Sequence, residues 1–269
     1  MIKKLLLILL LTLSACTTSP TGRHQLMLVS PEQAISASRQ AYVQTLRPLQ
    51  QKGQVDSDSN TTARVRYITG RLVAQAVRLF PHTKNWEWSV KVIDDPKMVN
   101  AWCMAGGKMA IYTGLLDQLR ATDDEVAQVM GHEIAHALAN HTAKRMSVAM
   151  ASQLGIMGLA IASRDSSHRG AILGGSVAAA ALAITLPNSR ASETEADIMG
   201  IEIAARAGYD PRAAATLWQK MGKVGGKTPP QFLSTHPAPA NRQRNLANLA
   251  EQMMPYYLEK SPRPVYPLR

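Results

Sequence analysis

The stretch from residue 122 to residue 141, TDDEVAQVMGHEIAHALANH, constrains the fold most strongly because its pattern predicts one amphipathic helix. Apolar side chains recur there at intervals of three and four residues, the period of a helix that buries one face. Thr122 and Glu125 have the spacing of a capping box, in which two side chains satisfy two free backbone N–H groups. Asp123 and Asp124 add negative charge at the positive end of the helix dipole. A helix is therefore expected to begin directly after Thr122.

Three residues of this predicted helix carry the chemistry of a metal site. His132 and His136 lie one turn apart on the same face, so both imidazoles can reach a single metal ion. Glu133 directly follows His132, where its carboxylate can reach a water molecule bound to the metal. This His-Glu-x-x-His spacing is typical of zinc-dependent peptidases, in which the glutamate is the general base. The alternative is an ordinary helix with two solvated histidines, and a third protein ligand decides between them.

A second acidic segment, residues 190–203 with the sequence RASETEADIMGIEI, offers that ligand. Glu193 and Asp197 lie one helical turn apart and share a face, while Glu195 points away. Glu193 can complete a zinc site of two histidines and one glutamate, and Asp197 can accept the free ring N–H of a ligating histidine. An acidic helix face is usually just solvated. The metal assignment therefore depends on the histidine pair that precedes it.

The N-terminus predicts a bacterial lipoprotein signal. Two lysines precede an apolar run, residues 5–13, that is too short to span a membrane, and small residues follow it up to Cys16. A leucine three positions before a cysteine resembles the lipobox, in which the cysteine becomes the lipidated N-terminus. In similar bacterial lipoproteins, an aspartate directly after the lipidated cysteine retains the protein in the inner membrane. This chain has Thr17 at that position, so its signal resembles that of an outer-membrane lipoprotein. A plain signal peptide with an unrelated Cys16 is the alternative.

Charge and cysteine content restrict the partners and the sources of stability. The formal net charge is +11, which becomes +9 once Lys3 and Lys4 leave with the signal. The basic residues are dispersed without a run of five or six, so nucleic acid is a poor partner and a basic face near anionic lipid is preferred. If Cys16 carries lipid, Cys103 is the only other thiol. No intramolecular disulfide is then expected.

The 269 residues are expected to form one main domain with short appendages. Its predicted fold is α+β and predominantly helical, with a small antiparallel sheet immediately before the metal helix. The expected divisions are a lipoprotein signal peptide at 1–15, a tether at 16–30, a single metallopeptidase domain at 31–254 and a proline-rich tail at 255–269. Within the domain we expect helices at 31–46, 65–79, 115–119 and 190–203, a strand at 86–93, a β-hairpin of 99–104 and 108–112, and a helix from 242 to about 254.

The predicted β-hairpin suggests where a substrate would bind. Asn100 and Ala101 lie on a strand that could form the edge of the sheet, where an extended peptide would pair through main-chain hydrogen bonds. The alternative is that Asn100 only serves the nearby turn.

Two apolar runs, residues 148–162 and 171–186, are each shorter than a membrane span. A hairpin of two core helices is preferred, and an element that dips into the bilayer or covers the active site is the alternative. His141 and His168, which flank the first run, are interpreted as ordinary surface histidines.

Three motifs in this order resemble the zinc metallopeptidase family of the CAAX prenyl endopeptidase and the HtpX heat-shock protease. They are the sequence HEIAH from His132, the sequence SRASETEAD from Ser189, and His236-Pro237 followed by Arg242. Residues 100–101 and 112–116 also resemble the sheet region of that family, and the similarity covers roughly residues 60–250. The multi-span membrane helices of the prenyl and heat-shock branches are lacking. The chain therefore resembles the lipid-anchored periplasmic branch that includes BepA and LoiP.

The resemblance implies a zincin-like metallopeptidase with one zinc ion per chain, held by His132, His136 and Glu193. It also implies that Arg242 lies with Asp197 around these ligands and that His236 lies near the metal. There His236 would either stabilise the oxyanion or occupy the open position on zinc as an autoinhibitory ligand. The alternative is a turn histidine before a proline.

These features predict a zinc-dependent endopeptidase that cleaves misfolded or misassembled envelope proteins, with Glu133 as general base. It would act on the periplasmic face of the outer membrane, held there by lipid on Cys16, and could have envelope-assembly proteins as partners. Two alternatives remain: a chaperone-like or scaffolding lipoprotein with a latent zinc site plugged by His236, and a purely structural zinc site.

Overall fold

A computed structural model describes residues 16–162, 187–224, 229–237 and 241–268, and it confirms the expected α+β, predominantly helical fold. The predicted signal peptide, the second apolar run at 171–186 and His168 lie outside the described residues. The strands are β1 (Cys16–Thr18), β2 (His24–Leu26), β3 (Ser89–Ile93), β4 (Ala101–Met104) and β5 (Lys108–Tyr112). The helices are α1 (Pro31–Gln51), α2 (Ser59–Leu79), α3 (Thr113–Gln118), α4 (Asp123–Leu138), α5 (His141–Ala162), α6 (Arg190–Arg206), α7 (Ala213–Met221), α8 (Gln231–Thr235) and α9 (Arg242–Leu258), with a 3₁₀ helix at Pro81–Asn85.

The central sheet has the strand order β3-β5-β4 and is mixed. The predicted hairpin of β4 and β5 is present and antiparallel, and it turns at Gly106 and Gly107, which both have positive φ. However, β3 pairs with β5 in parallel, from Ser89 opposite Lys108 to Ile93 opposite Tyr112. The expectation of an antiparallel sheet is therefore wrong. After β3 the chain crosses to the opposite edge of the sheet, where it forms β4. The hairpin then brings β5 back between β3 and β4.

Helix α4 is the centre of the domain. Its apolar stripe, predicted from the sequence, is at most 2% exposed at every position: Val126, Val129, Met130, Ile134 and Leu138. The capping box is also present, since the Thr122 hydroxyl accepts from the Glu125 N–H and the Glu125 carboxylate accepts from the Thr122 N–H. The helix packs against β4, α2 and α7, and most extensively against α6.

Two glycines allow α4 and α6 to approach backbone to backbone. A Cβ atom on Gly131 would lie 2.8 Å from the carbonyl oxygen of Gly200, and one on Gly200 would lie 2.7 Å from the nitrogen of His132. A real Cβ does not fit at these distances, so both positions require glycine. Because the contact lies directly beside His132, it brings the histidines of α4 opposite the acidic residues of α6.

The segment 16–30 is packed on the domain, whereas an irregular tether was predicted. Strands β1 and β2 pair in antiparallel fashion, and the turn between them is closed by the Ser19 N–H, which donates to the Arg23 carbonyl over 2.8 Å. The Gln25 amide donates to the Ala139 carbonyl, and the Val29 N–H donates to the Ser147 hydroxyl. The contacts that hold the segment are long-range, which is why local sequence pattern did not predict them.

Residues 259–268 of the C-terminal tail lack regular structure, as their prolines predicted, but α9 ends at Leu258, four residues past the expected end at 254. The tail is also attached to the domain. The Tyr266 N–H donates to the Gly70 carbonyl over 2.9 Å, and the side chains of Tyr266 and Leu268 pack against the main core. Within the described ranges, every helix is too short or too polar to span a lipid bilayer.

Candidate metal centre

Four buried side chains from three elements meet at one point. They are His132 and His136 on α4, Glu193 on α6 and His236 directly after α8, and one potential ligand atom from each lies within 4.8 Å of all the others. The Glu193 carboxylate lies 3.3 Å from Nε2 of both α4 histidines. Nδ1 of His236 lies 3.2 Å from Nε2 of His132 and 3.2 Å from the Glu193 carboxylate. The three ligands predicted from the sequence thus converge, and His236 joins them.

The donor set fits a zinc ion. Three imidazole nitrogens and one carboxylate oxygen are ligands that zinc accepts in a tetrahedron. Beside them, Oε1 of Glu133 is buried and has no hydrogen-bond partner among the described residues, although Nε2 of His236 lies 3.3 Å away. An unsatisfied carboxylate oxygen is costly to bury, so its position indicates that it faces a site meant for another group.

Asp197 and Arg242 hold the first histidine and the glutamate in place. Nδ1 of His132 lies 3.0 Å from Asp197, which leaves its Nε2 for the metal. The Arg242 guanidinium donates to both oxygens of Asp197 over 2.6 and 2.9 Å, and to Glu193 over 3.0 Å. Its other face lies 3.7 Å from the centre of the Trp218 ring. Both residues therefore contact the predicted ligands, Asp197 through His132 and Arg242 through Glu193.

His141 was interpreted as a surface histidine, and this was wrong. It is 1% exposed, and its Nδ1 lies 2.7 Å from Nδ1 of His136 while its Nε2 lies 3.3 Å from Glu195. Helix α4 ends at Leu138, and Asn140 adopts a left-handed conformation with φ of 57°. The chain turns there and brings His141 beneath His136. Asparagine is one of the few residues that enter this conformation readily, so the pair Asn140-His141 was the available signal.

Burial and neighbouring charge set the protonation of the cluster. Burial lowers the pKa of His136 well below its usual value, so this ligand is neutral. Burial also raises the pKa of the general-base candidate Glu133. For Glu193 burial opposes ionisation, but the surrounding histidines outweigh it and lower its pKa. For His132 burial lowers the pKa, yet hydrogen bonds and charge from Asp197 and Glu193 outweigh it and raise the pKa to about 9.

Zinc binding is therefore expected to weaken as the pH falls. Zinc must displace the proton that His132 holds below pH 9, because only the neutral imidazole coordinates a metal. Displacing one proton predicts that zinc affinity rises about tenfold per pH unit between about pH 6.5 and 8.5. Competition with a chelator of known pH dependence measures this slope. An affinity that stays constant across that range would contradict the prediction.

The sheet edge and two further polar residues border the cluster. A small cavity next to Glu133 and His236 is lined by residues 101–103 of β4 and by Arg145 of α5. In the sheet β4 pairs only with β5 among the described residues, so it is an edge strand. The Asn100 side chain, by contrast, accepts a hydrogen bond from the adjacent Ala101 N–H, the local role that was its alternative interpretation.

Arg145 was not singled out from the sequence. It lines the same cavity, and its Nε is buried without a hydrogen-bond partner among the described residues. A guanidinium beside a general base can contribute charge to the site. The sequence of α5 gave no signal that Arg145 borders the site, because a single arginine in a largely apolar helix looks like an ordinary surface cation.

A helix with a histidine pair that faces a glutamate on a second helix, with an edge strand alongside, defines a zincin-like metallopeptidase. A model of peptidase family M48 matches residues 59–250. The chain belongs to peptidase family M48, whose members depend on zinc. The resemblance inferred from the three motifs is thereby confirmed.

Relatives of two kinds are similar to the chain. The metalloendopeptidase OMA1, mitochondrial, of Bos taurus is 31% identical over 246 residues, which are 87% of this chain and 46% of the relative. The mitochondrial metalloendopeptidase OMA1 of Arabidopsis thaliana is 37% identical over 180 residues, 66% of this chain and 35% of the relative. The β-barrel assembly-enhancing protease of Escherichia coli is 31% identical over 172 residues, 61% of this chain and 34% of the relative. The chain thus spans less than half the length of these relatives.

Proposed function

We propose that this protein is a zinc endopeptidase of the bacterial cell envelope that cleaves misfolded or misassembled proteins. The observation that carries the proposal is the convergence of His132, His136, Glu193 and the unsatisfied Glu133 carboxylate beside an edge strand. The lipobox-like sequence ending at Cys16 supports an envelope location. The name of the Escherichia coli relative, which refers to β-barrel assembly, supports envelope-assembly proteins as substrates or partners.

The residues of the chain divide the chemistry among themselves. When bound, zinc would lower the pKa of a water molecule and polarise the scissile carbonyl. Glu133 takes the proton of the attacking water and passes it to the leaving amine. Its pKa, raised by burial, suits both tasks because a stronger base also becomes an adequate acid near neutral pH. Asp197 holds the ring of His132 in the orientation that directs Nε2 to the metal.

An extended peptide is proposed to bind along β4. Residues 101–103 of this strand, which are buried, line the cavity that Glu133 and His236 share. Main-chain pairing with an edge strand fixes a peptide without reading its side chains, which suits an enzyme that acts on many unfolded sequences. The pairing would place a peptide carbonyl near the metal ligands. Asn100 and Ala101, at the start of β4, mark this substrate edge. The Ala101 N–H donates to the Asn100 side chain, and a bound peptide would replace that bond.

Replacing Cys16 tests the proposed location. Cys16→Ala should move the protein from the membrane fraction to the soluble periplasmic fraction, because no acyl chain can then be attached. Fractionation with a salt wash, together with the mass of the mature N-terminus, measures this. Cys103→Ala, which changes the buried thiol, is the matched control and should stay in the membrane fraction. A Cys16→Ala protein that resists the salt wash would contradict lipid anchoring through this residue.

His236 supports a second candidate function, a latent site. Its Nδ1 completes a set of four protein ligands, and its Nε2 lies 3.3 Å from the general base Glu133. A catalytic zinc site keeps one position open, whereas four protein ligands close it. With His236 as the fourth ligand, no position on the metal would remain for the reacting water, which is what the proposed plug requires. The protein would then act as a protease only after the segment that carries His236 has moved.

His236→Ala separates the plug from the oxyanion role. We expect the variant to hydrolyse unfolded casein several-fold faster than the wild type, because the fourth position becomes open. His82→Ala, which removes an exposed histidine outside the cluster, is the control and should leave the rate unchanged. A slower rate in His236→Ala would instead indicate that the imidazole stabilises the oxyanion, and a plug would be excluded.

A further inference from the structure

Helix α6 carries a second buried carboxylate that the proposed chemistry does not use. Glu195 is 2% exposed and points to the opposite side of the helix from Glu193. Its Oε2 lies 3.3 Å from Nε2 of His141. A buried carboxylate requires a cation and hydrogen-bond donors around it, and the identity of those donors is informative.

The other donors to Glu195 come from the turn between β1 and β2. The Thr21 hydroxyl donates to Oε1 over 2.5 Å, and the Thr21 N–H donates to the same oxygen over 3.4 Å. The Arg23 guanidinium donates to Oε2 over 3.0 Å, and also to the Ala191 carbonyl at the start of α6 over 2.6 Å. Both residues lie outside residues 59–250, the region that matches the family model.

With His141 neutral, the chain of contacts assigns the protons to particular ring nitrogens. A carboxylate only accepts, so Nε2 of His141 carries the hydrogen that faces Glu195. A neutral His141 then has a bare Nδ1, which can only accept the Nδ1–H of His136 across 2.7 Å. Nε2 of His136 is consequently bare and faces the ligand cluster, 3.3 Å from Glu193. Each tautomer follows from the one before it, beginning at Glu195.

We propose that the turn formed by residues 19–23 is a working part of the metal centre, with Thr21 and Arg23 as positioning residues that act on zinc through Glu195, His141 and His136. Partners one step removed from a metal ligand orient its ring and raise its basicity. Here the contacts continue from His141 through Glu195 to Thr21 and Arg23, which lie in a segment that precedes the first helix. The inference uses the proposed role of His136 as a ligand, but it concerns metal binding and does not require peptide hydrolysis.

The double variant Thr21→Val/Arg23→Ala tests the inference in the mature full-length protein. It should raise the dissociation constant for zinc on the order of 10- to 100-fold, the range typical of outer ligand partners. In the cobalt-substituted protein the visible d–d absorption bands should shift, because His136 is no longer held in one orientation. The variant Thr21→Ser/Arg23→Lys, which keeps a hydroxyl and a cation, should recover most of the affinity.

Arg39→Ala is the matched control, since it removes a surface ion pair with Glu87 in which both side chains are more than half exposed. It should change neither the zinc affinity nor the cobalt spectrum. If the double variant does not fold, Thr21→Val alone should still weaken zinc binding, by a smaller factor. Unchanged zinc affinity and an unchanged cobalt spectrum in whichever of these variants folds would overturn the inference. Wild-type protein that binds zinc but cleaves no substrate would instead refute the proposed function and leave this inference intact.

Discussion

Glu133→Gln is expected to remove hydrolysis of an unfolded protein substrate while leaving zinc bound. The side chain keeps its shape but loses the base, and general acid–base groups contribute roughly 10²- to 10⁴-fold to rates. Zinc should remain because Glu133 is not among the four clustered ligand residues. Initial rates on fluorescent casein and the zinc content of the purified protein measure the two effects together.

The control for this experiment is Glu87→Gln. Glu87 is half exposed, and it pairs with Arg39 and Lys108 at the surface, so the same chemical change there should leave the rate unaltered. A Glu133→Gln protein that cleaves at the wild-type rate, with zinc present, would remove Glu133 from the mechanism. Loss of both zinc and activity would mean that this carboxylate contributes to metal binding.

Arg242→Ala is expected to destabilise the protein by about 3–5 kcal/mol, the cost typical of breaking a buried ion pair from one side. The side chain is 3% exposed, and its loss leaves Asp197 and the deeply buried Glu193 without the guanidinium that pairs with both of them. Arg242→Lys should not restore stability fully, because an ammonium group cannot bind two carboxylates through a planar fork. Urea unfolding with and without a chelator measures this loss of stability separately from any destabilisation caused by loss of the metal.

Arg212→Ala is the comparison for Arg242. Arg212 forms an ion pair of similar length with Asp210, but its side chain is 59% exposed. Exposed pairs contribute little, because water screens the charges and both side chains lose freedom. Equal destabilisation by the two variants would contradict the view that burial makes Arg242 important.

The part of the site carried by local pattern was predictable from the sequence. His132 and His136 belong to a helix with a clear apolar stripe and a capping box, and Glu193 and Asp197 are separated by one turn of another. Helical period alone fixes which of these side chains share a face. Local pattern does not encode the approach of the two helices. It was expected because the chemistry of a zinc site demands a third ligand and because the family resemblance implied Glu193.

The features that depend on long-range contacts were missed. His141 needed the turn at Asn140 to become buried, and the segment 16–30 needed Glu195 as a partner 172 residues beyond Arg23. The parallel pairing of β3 with β5 depends on where the hairpin inserts, which strand composition does not encode. The packing of segment 16–30 and the parallel strand pair are properties of tertiary structure that no window of neighbouring residues contains. The turn at Asn140 that buries His141 is local, and its signal was overlooked.

The contact between Gly131 and Gly200 has a consequence for which ion the protein selects. With no side chain between the two backbones, α4 and α6 approach each other directly beside His132, and the Glu193 carboxylate lies 3.3 Å from Nε2 of His132 and of His136. Zinc forms bonds of about 2.0–2.2 Å with such donors, whereas calcium needs about 2.3–2.6 Å and more oxygen ligands. Closely spaced donors would therefore favour zinc over calcium, and this spacing depends on two positions that carry no side chain.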